Sequence, residues 1–293
     1  MESIPQLKLL IKNPILDNWI IIHSSLIQKL LGHELQIPVK ISRPFLFSTF
    51  VSSLDGKLCY PDHLSGYGIT QYNLHASQLE KAADKIYLLS GRAIADAVII
   101  GARSLNIEPL NHPPILDEIS IQNERVSNGK SKNPATIIIC RDLKQINFNN
   151  RLFTDQEMQV FICCFKPKID QSVIPKNFNL SYLSRLDANK NLKNLLIIDT
   201  SLSLMFEKFK HLGFNIIMNE SPFFHHELIR AKILDEIWLN YSCSYIGGIT
   251  TSLGDKQSAF SSLDHPDTQI LTLHHLGYNF LYSRQQILYN NLN

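Results

Sequence analysis

Polar and charged residues follow the first long apolar run of the chain. Residues 45–51, FLFSTFV, have the composition of a buried strand, and the chain continues as SSLDGK from Ser52 to Lys57. Two hydroxyls, a carboxylate and an amine therefore stand at the end of a strand. In α/β proteins, ligands bind beyond the carboxyl ends of strands. The pattern predicts a binding site at this end.

Two further strand ends carry residues suited to phosphate. Gly101-Ala102-Arg103-Ser104 follows the apolar run DAVII, and Asn219-Glu220-Ser221-Pro222 follows NIIM and precedes a helical pattern. A glycine lets a phosphate approach the backbone closely, and a guanidinium fits phosphate geometry. A glycine after a strand is also an ordinary turn. Taken together, these ends predict a site for a phosphorylated nucleotide.

The elements that position these ends alternate along the chain. Short apolar runs predict strands at 45–51, 96–102, 135–140, 159–165, 194–199, 215–219 and 235–248. Helical periodicity predicts helices over 73–94, 200–214 and 221–234, and helix-like character over 18–35. In the helix at 73–94 the apolar positions are Leu74, Leu79, Ala82, Ile86 and Leu89. Residues 106–134 are polar and predict a long excursion, and 268–289 predict a hairpin.

This order predicts an α/β fold: a mixed, mostly parallel sheet with helices on both faces and a C-terminal antiparallel hairpin. We expect residues 1–40 to be an N-terminal extension that packs on a domain formed by residues 41–293.

Composition excludes several classes. The net charge of +2 does not indicate a nucleic-acid partner. The five cysteines contain no C-x-x-C pair, so neither a zinc site nor a disulfide framework is predicted, and no other metal site is expected. No secretory signal and no apolar run of about 18 residues occurs, which predicts a cytoplasmic protein without a membrane partner.

The motifs in their order resemble a known family. The sequence RPF…FVSSLDGKL…SG…IT…GRAIADAVIIGARSL…NESP…DEIWLNYSCSYIGG is similar to the reductase domain of bacterial riboflavin biosynthesis, which looks like dihydrofolate reductase in fold. The resemblance runs from Arg43 to the C-terminal tail. No zinc-deaminase motif of the kind that often accompanies this reductase is present.

The resemblance implies an NADPH-dependent oxidoreductase, a homodimer, that acts on a small-molecule substrate. Its implied activity is that of 5-amino-6-(5-phosphoribosylamino)uracil reductase, in which a ribose is opened to ribityl. The cofactor-binding residues that it implies are Ser52, Ser53, Thr70, Gly101, Ala102, Arg103, Ser104, Glu220, Ser221 and Pro222. The implied substrate-binding residues are Asp55, Lys57, Ser65, Arg92 and Asn219. No catalytic acid emerges from the sequence.

Two departures from the family pattern affect the substrate side. The motif E-G-G-P is N-E-S-P here, so Asn219 replaces a glutamate unless a one-residue shift lets Glu220 serve. The motif L-T-V-R, whose arginine holds the substrate phosphate, is absent after Ser104. We therefore expect reduction of a related pyrimidine- or pterin-like heterocycle or sugar, with poor activity on the riboflavin-pathway phosphate. The alternative is a degenerate, non-catalytic homologue that binds a nucleotide or serves a structural role.

The adjacent pair His225-His226 falls in the first turns of a predicted helix, with no partner carboxylate evident in the sequence. Neighbouring positions on a helix point in different directions. We therefore assign these histidines to the surface or to packing.

Overall fold

A computed structural model describes residues 4–107, 116–155, 157–165, 201–254 and 259–290, and the backbone of two strands at 179–182 and 195–198. The strands are β1 (Lys8–Lys12), β2 (Ile20–Ile22), β3 (Leu35–Ile37), β4 (Phe45–Ser52), β5 (Ala97–Gly101), β6 (Ala135–Cys140), β7 (Val160–Cys164), β8 (Asn179–Tyr182), β9 (Leu195–Ile198), β10 (Ile216–Asn219), β11 (Glu236–Ser242), β12 (Asp267–Leu276) and β13 (Phe280–Leu288). The helices are α1 (Ser25–Leu31), α2 (Tyr67–Gln71), α3 (Gln78–Ile94), α4 (Ala102–Ile107), α5 (Ile119–Ser127), α6 (Arg151–Thr154), α7 (Leu202–His211) and α8 (Pro222–Arg230).

One 11-stranded sheet contains all strands except β2 and β3, in the order β1-β12-β13-β11-β4-β10-β5-β6-β7-β9-β8. The strands from β11 to β8 pair in parallel, whereas β1, β12 and β13 pair antiparallel at one side. The predicted fold class is therefore confirmed, including the C-terminal hairpin formed by β12 and β13.

Apolar side chains cover both faces of this sheet because successive strand residues point to opposite sides. In β4, Phe45 and Phe47 join the core on the side of α1, α3 and α6, while Leu46 joins the core on the side of α7 and α8. β5, β6, β7 and β10 divide in the same way. The predicted placement of helices on both faces is confirmed.

The long helix α3 approaches the sheet closely at Gly91. A Cβ atom there would lie 3.0 Å from the Met218 side chain and 3.3 Å from a ring carbon of Phe47. A larger residue would have to displace these side chains or the helix itself. At its start, Ser77 and Glu80 form a capping box, and the Glu80 carboxylate also accepts hydrogen bonds from the backbone of the β12–β13 turn.

The helix predicted over 73–94 is confirmed from Gln78 onward, with Leu74 in the turn before it, but the predicted apolar positions do not mark its buried face. Leu74 and Leu79 are exposed, and Ile86 and Leu89 are half-buried. The buried face instead carries Glu80, Ala83, Asp84, Tyr87, Ser90 and Gly91. Its polar members are satisfied by specific hydrogen bonds, which hydropathy does not detect.

Two other predictions are corrected. The helix-like stretch 18–35 forms β2, then α1, then the start of β3, because its isoleucine run pairs with residues 35–37. The predicted excursion over 106–134 contains a helix, α5, although residues 108–115 lie outside the described part. Arg125 of α5 donates hydrogen bonds to the carbonyls of Arg92, Ala93 and Ala95, and so caps the end of α3.

The N-terminal residues pack on the rest of the chain. β1 pairs antiparallel with β12, and Leu30 and Leu31 of α1 lie in the same core as α3. Where this segment meets β4, Asp235 pairs with both Lys40 and Arg43, at 2.8 and 2.6 Å. The division at residue 40 stays a prediction.

Candidate active site

A cavity of about 750 Å³ lies at the carboxyl ends of the central parallel strands. Its walls include the last residues of β4, β5 and β6, the segment after β10, and Asn240 of β11. Residues of α3 close one side and the first residues of α8 another. This is the edge at which open α/β sheets bind ligands, and the volume is in the range of small-molecule sites.

The segment after β5 lies in the cavity wall as the sequence predicts. Gly101, Ala102, Arg103 and Ser104 all line the cavity, and Arg103 is exposed there. A Cβ atom at Gly101 would lie 3.2 Å from Ser221 Oγ. The glycine therefore lets the ends of β5 and β10 come together and keeps that part of the wall open.

The segment after β10 contributes Glu220, Ser221 and Pro222 to the cavity, but not Asn219. Asn219 is 1% exposed, and its amide donates to Ser48 Oγ at 2.9 Å and to the carbonyl of Ser221 at 3.1 Å. The carboxylate that reaches the cavity is therefore that of Glu220.

Arg92 lines the cavity from α3 and forms a bidentate ion pair with Glu220. Its Nε and Nη2 atoms donate to the two carboxylate oxygens at 2.6 and 2.7 Å. The arginine is 4% exposed, so the pair is shielded from water. The two charges hold the end of α3 against the end of β10.

The loop after β4 lies outside the cavity wall until Leu58. Ser53 Oγ donates to Asp55 at 2.6 Å, and the carboxylate also accepts from the backbone N–H groups of Ile246 and Gly247, at 3.1 and 2.8 Å. Partial burial acts to raise the pKa of Asp55, but these hydrogen bonds outweigh it and hold the pKa at about 2.

Lys57 contributes its backbone to the same turn. Its N–H donates to Ser53 Oγ, and its carbonyl accepts from the Ser53 N–H. Lys57 also forms an isolated antiparallel β-bridge with Ser252. Gly56 has a φ of 74°, which glycine adopts without strain. The Ser53 hydroxyl and the Asp55 carboxylate are thus engaged with the loop's own backbone and with the backbone at 246–247.

The remaining predicted residues surround the cavity without lining it. Ser52 is fully buried, and Thr70 of α2 is 6% exposed and donates a hydrogen bond to Asp84. Ser65 accepts a hydrogen bond from the backbone N–H of Tyr67, which does line the cavity. Contact of any predicted residue with a ligand stays a prediction.

Asp84 and Asn240 are cavity residues that the sequence did not suggest. Asn240 Nδ2 donates to Asp84 Oδ1 at 2.6 Å, and Thr70 Oγ1 donates to Oδ2. Burial raises the pKa of Asp84, and the two hydrogen bonds only partly offset that effect. The signal for Asp84 in the sequence was a carboxyl group on the side of a predicted helix that faces the sheet.

Cations stand at the mouth of the cavity. Arg141, directly after β6, places its guanidinium 4.4 Å from the ring centroid of Phe223, and Lys85 and Arg103 are exposed on the same lining. Arg141 could have been found from sequence, because it follows a buried strand as Arg103 does. These charges favour an anionic ligand.

The adjacent histidines of α8 are both buried. His225 Nδ1 lies 2.9 Å from Ser48 Oγ, and burial followed by the charge of His226 lowers its pKa to about 4. The ring is therefore neutral at pH 7, and it shares this hydrogen bond with the Ser48 hydroxyl. Both histidines therefore have the predicted packing role, and the alternative of a surface position is excluded.

The described residues contain neither a metal cluster nor a membrane-spanning helix. They contain no group of three or more histidine, cysteine, aspartate or glutamate side chains placed to hold a metal ion. Within the same residues, every helix is too short or too polar to cross a membrane.

Comparison with known proteins reveals likeness in structure rather than in sequence. No family model matches the chain, and no curated protein does. A pyrimidine reductase-like protein from Corynebacterium diphtheriae superposes with a TM-score of 0.62 at 17% identity, covering 84% of this chain and 93% of that one.

Two further structures agree. A diaminohydroxyphosphoribosylaminopyrimidine deaminase/5-amino-6-(5-phosphoribosylamino)uracil reductase from Thermotoga maritima gives a TM-score of 0.57 at 14% identity over 84% of this chain. The matched part is 57% of the Thermotoga chain. The riboflavin biosynthesis reductase of Saccharomyces cerevisiae gives 0.50 at 13% identity, covering 85% and 91% of the two chains. The predicted resemblance to riboflavin-pathway reductases is confirmed at the level of the fold.

Proposed function

We propose that this protein is an NADPH-dependent reductase of a small pyrimidine- or pterin-like heterocycle. The observation that carries the proposal is the cavity at the carboxyl ends of β4, β5, β6, β10 and β11, in a fold similar to that of riboflavin-pathway reductases. Its two ends differ in chemistry. Exposed arginines stand at one, and a buried carboxyl group and an amide stand at the other.

The residues after β5 and β10 suit the cofactor. Gly101 leaves room where a side chain would press on Ser221, so a pyrophosphate can approach the backbone of 101–104. Arg103 is exposed and positively charged at this wall, where it would meet the 2′-phosphate. When bound, the reduced nicotinamide supplies a hydride. The chain supplies positioning and shelter from water.

The other end of the cavity would hold the heterocycle. Asp84 and Asn240 are buried polar groups there, and Leu58, Leu88 and Val51 provide apolar walls for a planar ring. The sequence lacks the family arginine for a substrate phosphate. We therefore propose that the substrate is a relative of the riboflavin-pathway compound.

Titration of NADPH and NADH by protein fluorescence tests the cofactor. Arg103→Ala should weaken NADPH binding about tenfold and NADH binding much less, since only NADPH carries the 2′-phosphate. The control is Arg151→Ala, which removes an exposed arginine that pairs with Asp155 away from the cavity. Equal losses of affinity for both nucleotides would show that Arg103 does not contact the 2′-phosphate.

Absence of NADPH binding at millimolar concentration would instead support the non-catalytic alternative.

Complementation of a strain that lacks only the riboflavin-pathway reductase tests the substrate. We expect poor rescue. Robust rescue that is lost with Lys57→Ala would show that the pathway substrate is accepted.

We further propose a cytoplasmic homodimer. All five cysteines are free thiols, which fits a reducing compartment. β11 lies between β4 and β13 of its own chain and carries Glu236, Asn240 and Ser242 on one face, so it does not argue for a dimer. A single monomeric species in light scattering at tens of micromolar would contradict the dimer.

A further inference from the structure

The cations that line the cavity fall into two groups on different sides of it. Among the described residues of the lining, they are Lys85, Arg92, Arg103 and Arg141. Arg103 and Arg141 lie just after β5 and β6, and the guanidinium of Arg141 lies over the ring of Phe223 in α8. Lys85 and Arg92 belong to α3, which closes a different side. Because the proposed cofactor site uses the segment after β5, the cations of α3 face the rest of the ligand space.

The two cations of α3 differ in what they already bind. Arg92 donates from Nε and Nη2 to the Glu220 carboxylate, so its charge is compensated within the protein. The Lys85 ammonium forms no hydrogen bond or ion pair with any described residue, and the side chain is exposed on the cavity wall. On the α3 side of the described lining, Lys85 therefore carries an uncompensated positive charge.

The neighbouring residues of α3 show that the fold does not hold Lys85 in place. One turn earlier, the Lys81 ammonium donates to the carbonyl of Gln71 at the end of α2. The adjacent carboxyl group, that of Asp84, is directed at α2 and β11 instead. Neighbouring positions on a helix point in different directions, so Asp84 does not pair with Lys85. The three N–H donors of the Lys85 ammonium are available to a ligand.

The spacing along α3 places this charge away from the Arg92–Glu220 pair. Lys85 and Arg92 are two helical turns apart, so they lie on the same face of the helix. At a rise of about 1.5 Å per residue, about 10 Å along the helix axis separates them. Arg92 marks the end of α3 that meets the end of β10, and Lys85 lies nearer the start of the helix. A ligand that reaches Lys85 needs an anionic group at that point.

We propose that Lys85 binds a phosphate ester carried by the substrate and so replaces the arginine that the chain lacks after Ser104. This inference rests on the proposed function and names an anionic substrate class for the same cavity. Lys57, a cation that the resemblance assigns to the substrate, lies outside the cavity lining. An ammonium binds phosphate as a point charge, without the bidentate geometry of a guanidinium. The lysine therefore restores the attraction for phosphate but not the fixed orientation.

Calorimetric titration of the full chain with uridine 5′-monophosphate and with uridine tests the proposal. The two probes share a pyrimidine ring and a ribose and differ only in the phosphate. Each titration is made with and without saturating NADPH, which blocks the cofactor part of the cavity. We expect the wild-type protein to bind the nucleotide at least about tenfold more tightly than the nucleoside. Equal affinities, or no binding of either probe, would overturn the proposal.

Variants assign the preference to one side chain. Lys85→Gln removes the charge at an exposed position, and both residues are good helix formers. The preference for the phosphorylated probe should fall to about onefold to twofold, whereas Lys85→Arg should retain it. The control Lys132→Gln removes an exposed lysine that pairs with Glu157 outside the cavity lining, and it should leave the preference unchanged. A folded Lys85→Gln protein that keeps the full preference would overturn the role of Lys85.

NADPH titration of the same proteins separates this inference from the proposed function. Lys85→Gln should leave NADPH affinity unchanged, whereas Arg103→Ala should weaken NADPH and keep the preference for the nucleotide. Weaker NADPH binding in Lys85→Gln would assign Lys85 to the cofactor and overturn the proposal. Bound NADPH without a nucleotide preference would leave the reductase standing and remove the phosphate site. A preference that Lys85→Gln abolishes, in a protein that does not bind NADPH, would keep the phosphate site and remove the reductase.

Discussion

The loop after β4 and the segment after β5 lie at the same edge of the sheet, and both carry polar residues of similar type. The loop engages its hydroxyl and carboxylate with its own backbone and with the backbone at 246–247. The segment after β5 leaves Arg103 exposed on the cavity wall. Polar residues at a strand end can therefore build a loop or face a ligand, and residue type alone does not distinguish the two roles.

The largest effect should come from filling the wall at Gly101. In Gly101→Val the new Cβ would press on Ser221 Oγ, and the methyl groups would occupy the space assigned to the pyrophosphate. We expect NADPH affinity to fall about hundredfold, or about 2.7 kcal/mol, with a smaller loss of about 1 kcal/mol in the free energy of unfolding because the new side chain presses on Ser221.

The control is Gly254→Val, since a Cβ there meets nothing within 4 Å and the residue lies outside the cavity lining. Unchanged NADPH affinity in Gly101→Val would mean that the segment after β5 is as structural as the loop after β4.

The next effect concerns the strand end after β10. Asn219→Glu restores the family's glutamate but places a carboxylate against Ser48 Oγ and the carbonyl of Ser221, in a site that is 1% exposed. We expect a loss of about 2 kcal/mol in the free energy of unfolding by urea. Asn149→Glu, at an exposed position, should be close to neutral. A stable Asn219→Glu protein with improved reductase activity would show that Glu220 has not taken over the position.

The smallest effect should come from Asp55→Asn, which tests whether the loop after β4 has a structural role. The variant loses charge-assisted hydrogen bonds to Ser53, Ile246 and Gly247, and we expect a loss of about 1 kcal/mol because the site is partly exposed. NADPH affinity should not change. A large loss of NADPH affinity with unchanged stability would place Asp55 at the ligand instead.

The pH dependence of that variant has a definite sign. The pKa of Asp55 is about 2 in the folded protein, below the value of about 3.9 in an unfolded chain. Its ionised form therefore stabilises the fold above about pH 4, and this contribution is lost as the pH falls through about 2. The stability difference between wild type and Asp55→Asn, measured by urea unfolding at each pH, should shrink over that window.

The strands were predictable because a strand covered on both faces leaves a continuous apolar run, as in ATIIIC of β6 and VFICC of β7. The short run at Ile20–Ile22 was not, since three isoleucines fit a helix or a strand until their partner at 35–37 is known. The helix α5 was missed because its sequence, ISIQNERVS, is mostly polar.

The site was predictable where one strand end sufficed and not where partners come from distant parts of the chain. Gly101 and Arg103 follow directly from a strand that ends in a glycine. Asp84 meets Thr70 and Asn240, which are 14 and 156 residues away, so its role depends on packing. The hydrogen bond from Ser53 to Asp55 is local. The Asp55 carboxylate also accepts a hydrogen bond from the Ile246 N–H, which is 191 residues later in the chain.

The position of β4 has a consequence for protein synthesis. It is the first of the parallel strands to leave the ribosome, yet both of its neighbours, β10 and β11, are translated last among them. Asn219 reaches Ser48 across 171 residues of sequence. The apolar strand FLFSTFVS must therefore wait with two open edges while those residues are made. We therefore expect chaperones to bind this strand during translation.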